Sequence, residues 1–296
     1  MTQPQAMDQW ARWLLERRHG GDPESLRRTM EYLGPVRDRV LANAEVRDGD
    51  VLLDVGCGDG LIGFAALDRV GATGRVIFSD ISDDLLAHVE RLARDAAVMA
   101  RCGFVRADAA DLVAIEDASV DVVTTRSVLI YVKDKSAAFR AFHRVLRRGG
   151  RFSLFEPINE FPRGKDHWFP GWDIEPVRPA VEKLKALYER IQPASDPMVD
   201  FDEHDLFVHA QRAGFEDLHL ELQAKLERPW VPGPKWETYI RSSGNPKVPT
   251  MEEAMDQVLT AAERAEFTQH LRPMVEAGGG PPRPSAVAYL WGRKSS

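Results

Sequence analysis

The chain has little cysteine, no excess of positive charge and no long apolar run, and each shortage narrows what it can be. Only Cys57 and Cys102 occur in 296 residues. Two cysteines cannot supply a disulfide framework, so the expected compartment is a reducing cytoplasm. The formal net charge is -7, opposite in sign to what a polyanionic partner would select. No apolar stretch approaches the length of a membrane span. Met1 to Gln5 does not start the charged, apolar, small-residue order of a signal peptide. Internal repeats and low-complexity tails are missing too. Tryptophan is missing from 51–157 and concentrated on either side, at Trp10, Trp13, Trp168, Trp172, Trp230 and Trp236.

What is present begins with a glycine-rich stretch, Val51-Leu52-Leu53-Asp54-Val55-Gly56-Cys57-Gly58-Asp59-Gly60. Its apolar start predicts a short buried strand, and its glycines a sharp turn and close backbone approach to a ligand. A helix is expected from about Leu61. Strand, glycine loop and helix N-terminus in that order open nucleotide-binding α/β domains. Further strands are expected at 75–80, 104–108, 120–125, 151–156, 217–227 and 286–291. Helical patterns lie between them at 61–70, 83–101, 134–147 and 202–213. This alternation predicts a doubly wound, mostly parallel seven-stranded Rossmann-like α/β sheet. A helix over residues 1–20 and a second one starting near Pro23 and interrupted at Gly34-Pro35 precede it.

The division into segments follows the changes in composition. Residues 1–45 read as an N-terminal helical cover, 46–157 as the cofactor-binding core, and 158–200 as a proline-rich lid insertion around a helix at 178–191. The core resumes at 201–228. A second lid insertion with two helices spans 229–283, and 284–296 carries the last strand. The tryptophans have two readings: an enclosed, largely apolar pocket, or cement between the insertions and the body. The N-terminal helix has two as well: packing against the domain, or a mobile arm that covers the site or joins a homodimer.

The ligand of the glycine loop is decided by charge. Gly58-Asp59-Gly60-Leu61-Ile62-Gly63 satisfies the dinucleotide pattern G-x-G-x-x-G, which keeps an NAD(P)-dependent oxidoreductase open. Carboxylates at Asp54 and Asp59 would repel a pyrophosphate, whereas they attract a ligand bearing a sulfonium and an ammonium. Asp80 and Asp108, at the ends of the second and third strands, are placed to take two ribose hydroxyls and an adenine amino group. Any one of these acids alone reads better as a helix cap; the ordered set does not.

With these residues the chain resembles the class I S-adenosylmethionine-dependent methyltransferases. Val51 to Gly60, Val76 to Asp80, Ala107-Asp108-Ala109, Asp121-Val122-Val123 and Leu146 to Phe152 carry the resemblance. It covers 45–157 well and 200–228 and 286–294 in outline. It implies S-adenosyl-L-methionine as cofactor. Gly56 and Gly58 would lie at the methionine part, Asp80 at the ribose, Asp108 with the backbone of Ala109 at the adenine, and the backbone near Arg126 at the methionine end; Asp54 and Ile81 are counted among the cofactor-binding residues as well. It also implies an antiparallel last strand. A base for the acceptor, if one is used, is expected over the carboxyl ends of strands four and five. The candidates there are Glu156, Tyr131 and His167, followed by Glu160 and Asp173. No metal site is expected, since the five-residue spacing of His204 and His209 suits no shared ion. Thr124-Thr125-Arg126-Ser127 lacks the Asn/Asp-Pro-Pro-aromatic run of enzymes that methylate bases. A small-molecule acceptor, partly hydrophobic, is therefore expected and nucleic acid is not. A protein that binds S-adenosylmethionine without turnover is the other alternative.

Overall fold

The computed structural model describes residues 6–161, 169, 172–279 and 282–296. Two compact units share the chain. One comprises Glu31–Glu160, Pro197–Gln223 and Ala286–Ser296, and the other Met1–Met30, Phe161–Asp196 and Ala224–Ser285.

The first unit is built on one seven-stranded sheet. Its strands are β1 (Val51–Val55), β2 (Arg75–Asp80), β3 (Cys102–Arg106), β4 (Val120–Arg126), β5 (Leu146–Pro157), β6 (Phe215–Glu227) and β7 (Arg283–Lys294). The spatial order is β3-β2-β1-β4-β5-β7-β6. The pairs β1–β2, β2–β3, β1–β4 and β4–β5 are parallel, and β5–β7 is antiparallel. In β1, Leu52 and Leu53 point to opposite faces and both are wholly buried, as a strand covered on both sides requires. The order reverses between β1 and β4, and a crevice opens at the carboxyl ends of strands beside such a reversal.

The helices, in chain order, are α1 (Gln9–Arg12), α2 (Pro23–Asn43), α3 (Leu61–Arg69), α4 (Asp83–Asp95), α5 (Lys135–Val145), α6 (Arg178–Ile191), α7 (Glu203–Arg212), α8 (Trp236–Arg241), α9 (Met251–Val258) and α10 (Ala261–Ala277). Around the sheet, α3 and α4 pack one hydrophobic cluster with Leu52, Val76 and Phe78. The other cluster joins Phe139 and Phe142 of α5 to Leu206 of α7, Phe152 and Phe215.

Three expectations are corrected here. The helix near Pro23 is not interrupted: α2 runs through Pro35. A proline costs a helix one hydrogen bond, but Leu33, Val36, Val40 and Leu41 are all buried along this stretch, and that burial offsets the loss. The third strand ends at Arg106 because its ladder stops where β2 stops, with Asp80 opposite Arg106. Asp108 therefore stands in the turn beyond the strand. Residues 36–44, expected in the cover, contribute Val36, Val40, Leu41 and Ala44 to the cluster of the sheet.

The second unit is helical. Val181, Leu184 and Leu187 of α6, Trp236 and Ile240 of α8, Ala254 and Met255 of α9, and Phe267, Leu271 and Val275 of α10 form its core. The second insertion thus holds three helices, not two. The N-terminal segment is knitted to them: Trp13 Nε1 donates to the Ser243 carbonyl at 2.7 Å, Thr238 Oγ1 to Asp22 at 3.1 Å, and Arg17 pairs with Glu253. Trp236 is buried and packs on Tyr239, which packs in turn on Trp172. Trp230 lies under the Arg28 guanidinium, 4.5 Å from its ring centre. The described tryptophans with these contacts act as cement within this unit; Trp168 lies outside the described residues.

Candidate active site

The carboxyl ends of β1, β2 and β4 bring the predicted residues together. After β1 the chain turns through Gly56, Gly58 and Gly60, all with positive φ (64°, 55° and 83°), a region that disfavours any residue with a Cβ. Space is limiting as well. A Cβ on Gly56 would lie 2.3 Å from Cγ2 of Val128, and one on Gly63, in the first turn of α3, would lie 2.2 Å from the Phe78 ring. The glycine loop therefore sits directly against the turn that follows β4, and α3 directly against β2.

The acids of the site divide into two kinds. Asp54 is buried and committed: it accepts from Gly63 N at 3.0 Å and from Thr124 Oγ1 at 3.1 Å. It ties the start of α3 to β4. Burial pushes its carboxyl up to about 7, against the pull of Thr124, Gly63 and the Arg126 charge. Asp80 is buried as well and accepts from Gly58 N and from Ser82 N, each at 3.0 Å, so it holds the glycine loop to the end of β2. Ala107 N donates to the Asp80 carbonyl at 3.0 Å and brings the following turn alongside. Asp108 is exposed and accepts from Ala110 N at 2.8 Å. Ala109 is buried. Ile81, next to Asp80, leaves 45% of its surface exposed, an apolar platform at the strand end.

Asp54, Asp59 and Asp80 bring acidic charge to the loop. Burial raises the Cys57 thiol far above its ordinary value, and the charges of Asp80, Asp54 and Asp59 each add to that rise. Such a field repels a pyrophosphate and favours a cationic ligand.

Of the three candidate bases, Glu156 is committed to backbone. It is fully buried at the end of β5, and its carboxylate takes three backbone amides of the turn after β4. A base must reach the proton it removes, and this carboxyl has no surface from which to do so. Tyr131 is half-buried and ends that same turn, Leu129–Tyr131. His167 lies outside the described residues. Glu160 is exposed, at the point where the chain leaves the sheet unit, and Asp173 belongs to the helical unit. Arg126 is half-buried at the end of β4, its charge felt by both Asp54 and Glu156. Sequence reasoning missed Ser127. This non-glycine residue holds φ at 56°, a strained conformation of the kind that clusters at functional sites. Nothing in its identity announces it. Among the described residues, no group of three or more acids, histidines and cysteines could hold a metal, and no helix is long and apolar enough to cross a membrane.

A parallel sheet reversing at β1/β4, an antiparallel β7, a glycine loop and acids at successive strand ends define a nucleoside-binding domain for a cationic ligand. Comparison with known proteins agrees. The methyltransferase domain family matches residues 53–154. A nocamycin O-methyltransferase of Saccharothrix syringae is 31% identical over 279 residues, covering 89% of this chain and 92% of that one. A ubiquinone/menaquinone biosynthesis C-methyltransferase of Xylella fastidiosa is 35% identical over 151 residues, 51% of this chain and 57% of the relative. This chain thus spans little more than half the length of the quinone-pathway relatives from that genus. A geranyl diphosphate methyltransferase solved with S-adenosylmethionine shares the fold, with a TM-score of 0.53 at 16% identity over 93% of this chain and 94% of that one. The chain belongs to the class I S-adenosylmethionine-dependent methyltransferases.

Proposed function

We propose that this protein transfers a methyl group from S-adenosylmethionine to a small, partly hydrophobic acceptor. The observation that carries the reading is the acid-flanked glycine loop, in which Asp80 accepts from Gly58 N, Asp54 accepts from Gly63 N, and Asp59 lies between those two glycines in the chain. It suits a sulfonium and speaks against the pyrophosphate that an NAD(P)-dependent oxidoreductase would hold. When bound, S-adenosylmethionine supplies the electrophilic methyl group. The residues of this chain that would hold it are Asp80 at the ribose with Ile81 beside it, Asp108 and the Ala109 backbone at the adenine, and Gly56, Gly58 and the Arg126 backbone at the methionine end. Asp54 serves the same end indirectly, by fixing the start of α3. In an in-line displacement the protein mainly orients the reacting atoms. Where the acceptor must lose a proton, Tyr131 is the base we assign among the described residues.

Support for a small-molecule acceptor comes from the relatives. The nocamycin O-methyltransferase aligns through both units of this chain, and a chloroplast 2-phytyl-1,4-beta-naphthoquinone methyltransferase of Arabidopsis thaliana is 32% identical over 133 residues. Two unpaired cysteines support work in a reducing cytoplasm. Titration calorimetry with S-adenosylmethionine, its demethylated product and NAD tests the reading. The first two should bind and NAD should not; NAD binding without a signal from the other two would overturn it. Formation of the demethylated product with a panel of quinols, phenols and amines separates an enzyme from a protein that only binds the cofactor.

A further inference from the structure

We infer that Glu156 is a positioning residue of this site: its buried carboxylate builds the turn after β4 and, through Val128, sets the glycine loop. The inference rests on the methyl-transfer reading above. Glu156 Oε1 accepts from Val128 N and Leu129 N, both at 2.9 Å, and Oε2 from Ile130 N at 3.3 Å. These amides open the short 3-10 turn Leu129–Tyr131, and the first amides of a helical turn have no partner within it. One side chain supplies three acceptor contacts that would otherwise have to come from water. None of the carboxyl is exposed, so water has no access to replace it.

The turn needs such an anchor because it starts from strain. Ser127 leaves β4 with φ at 56°, held by a 2.9 Å bond from its N–H to the Phe155 carbonyl. That carbonyl belongs to the residue just before Glu156, so two successive residues of β5 grip the turn. Val128 follows, and its side chain occupies the space beside Gly56. If the three amides are released, Val128 is no longer held against Gly56. The loop assigned to the methionine end then loses one wall. Tyr131 closes the same turn and would move with it. Glu156 therefore acts on bound cofactor without touching it.

The test compares full-length Glu156→Gln and Glu156→Ala with the wild type by amide hydrogen exchange, by calorimetry with S-adenosylhomocysteine and by turnover. Wild-type binding is measured first; its absence would sink the methyl-transfer reading itself, not this inference. Gln keeps an oxygen for Val128 and Leu129 but sets an NH2 against the Ile130 N–H. We expect Gln to speed exchange at 128–130 and to weaken the nucleoside roughly tenfold, and Ala to weaken it more. KM for S-adenosylmethionine should rise by more than kcat falls. Three results would overturn the inference. One is a collapse of kcat in Gln with unchanged affinity and exchange, which marks a catalytic base. Another is wild-type behaviour of both variants. The last is loss of the folded state in both, since a scaffold role then accounts for the carboxylate.

Discussion

At the scale of single residues, the site is made of side chains that bind backbone. Asp80 and Glu156 accept from main-chain amides of a neighbouring loop or turn and Asp54 from one at the start of α3, and so tie three strand ends to the segments beside them. Asp80 has the double task, since it also faces the position assigned to the ribose. Asp80→Ala should lower S-adenosylmethionine affinity by roughly ten- to a hundredfold, the scale of losing a charged acceptor, with the melting transition retained. Unchanged affinity in calorimetry would remove the ribose assignment. The buried pair Asp54 and Glu156 also sets a pH dependence. Both carboxyls are pushed up to about 7 in the folded chain, by burial above all, from ordinary values of 3.8 and 4.5. Between those values and 7 the folded state holds more protons than the unfolded one. The contribution of these two groups to stability then falls as pH rises through this window, and levels off above it. The difference in urea midpoint between wild type and Asp54→Asn should shift in that direction between about pH 5 and about pH 7. A difference that does not change with pH would contradict the burial of the Asp54 charge.

At the scale of elements, the most informative contact is at the base of the long excursion from the sheet. The chain leaves the sheet unit after Glu160 and returns at Pro197. Lys135, 4% exposed at the start of α5, donates to the Val132 and Pro197 carbonyls at 3.2 and 3.0 Å and to Asp200 at 2.8 Å. Its ammonium lies 4.4 Å from the Phe201 ring centre. Asn159 Nδ2 donates to the Met198 carbonyl at 3.0 Å. Departure and return are thereby stapled to one another and to α5. Lys135→Met keeps the stem and deletes the staple. We expect a loss of roughly 1–3 kcal/mol in urea unfolding and faster hydrogen exchange at 198–200. A change under about 0.5 kcal/mol would put Lys135 among ordinary surface positions.

The elements also show what patterning can and cannot carry. Helix 178–191 was legible to the residue, because apolar positions recur at helical spacing after Pro179. The third helix of the second insertion was signalled as well: Thr250 with Glu253 and Thr260 with Glu263 are capping boxes, each of the form that starts a helix. The continuity of α2 across Gly34-Pro35 had no local signal, since it depends on what Leu33, Val36 and Val40 meet. The same holds for the end of β3, which is decided by the length of its neighbour.

At the scale of the whole molecule, three stretches far apart in the chain make one helical unit with a core of its own. Leu184 is fully buried within it. Leu184→Ala should cost about 2–5 kcal/mol and lower the melting temperature of the helical unit. The residues assigned to the cofactor all lie in the sheet unit, so calorimetric binding of S-adenosylhomocysteine below the transition should persist. Loss of that binding in a variant still folded would show that the two units are coupled.

The sequence by itself determined the alternating α/β order, the glycine loop and the set of acids from which a cationic nucleoside ligand was read. These are local patterns, expressed in spacing and charge. Tertiary structure alone decided the work of each acid. Asp54 and Glu156 differ from Asp108 in burial and in the amides they meet, and no spacing rule contains either. It also decided that the tryptophan-bearing segments belong to one unit, because contacts join residues that lie more than two hundred positions apart along the chain, as the hydrogen bond between Trp13 and Ser243 does.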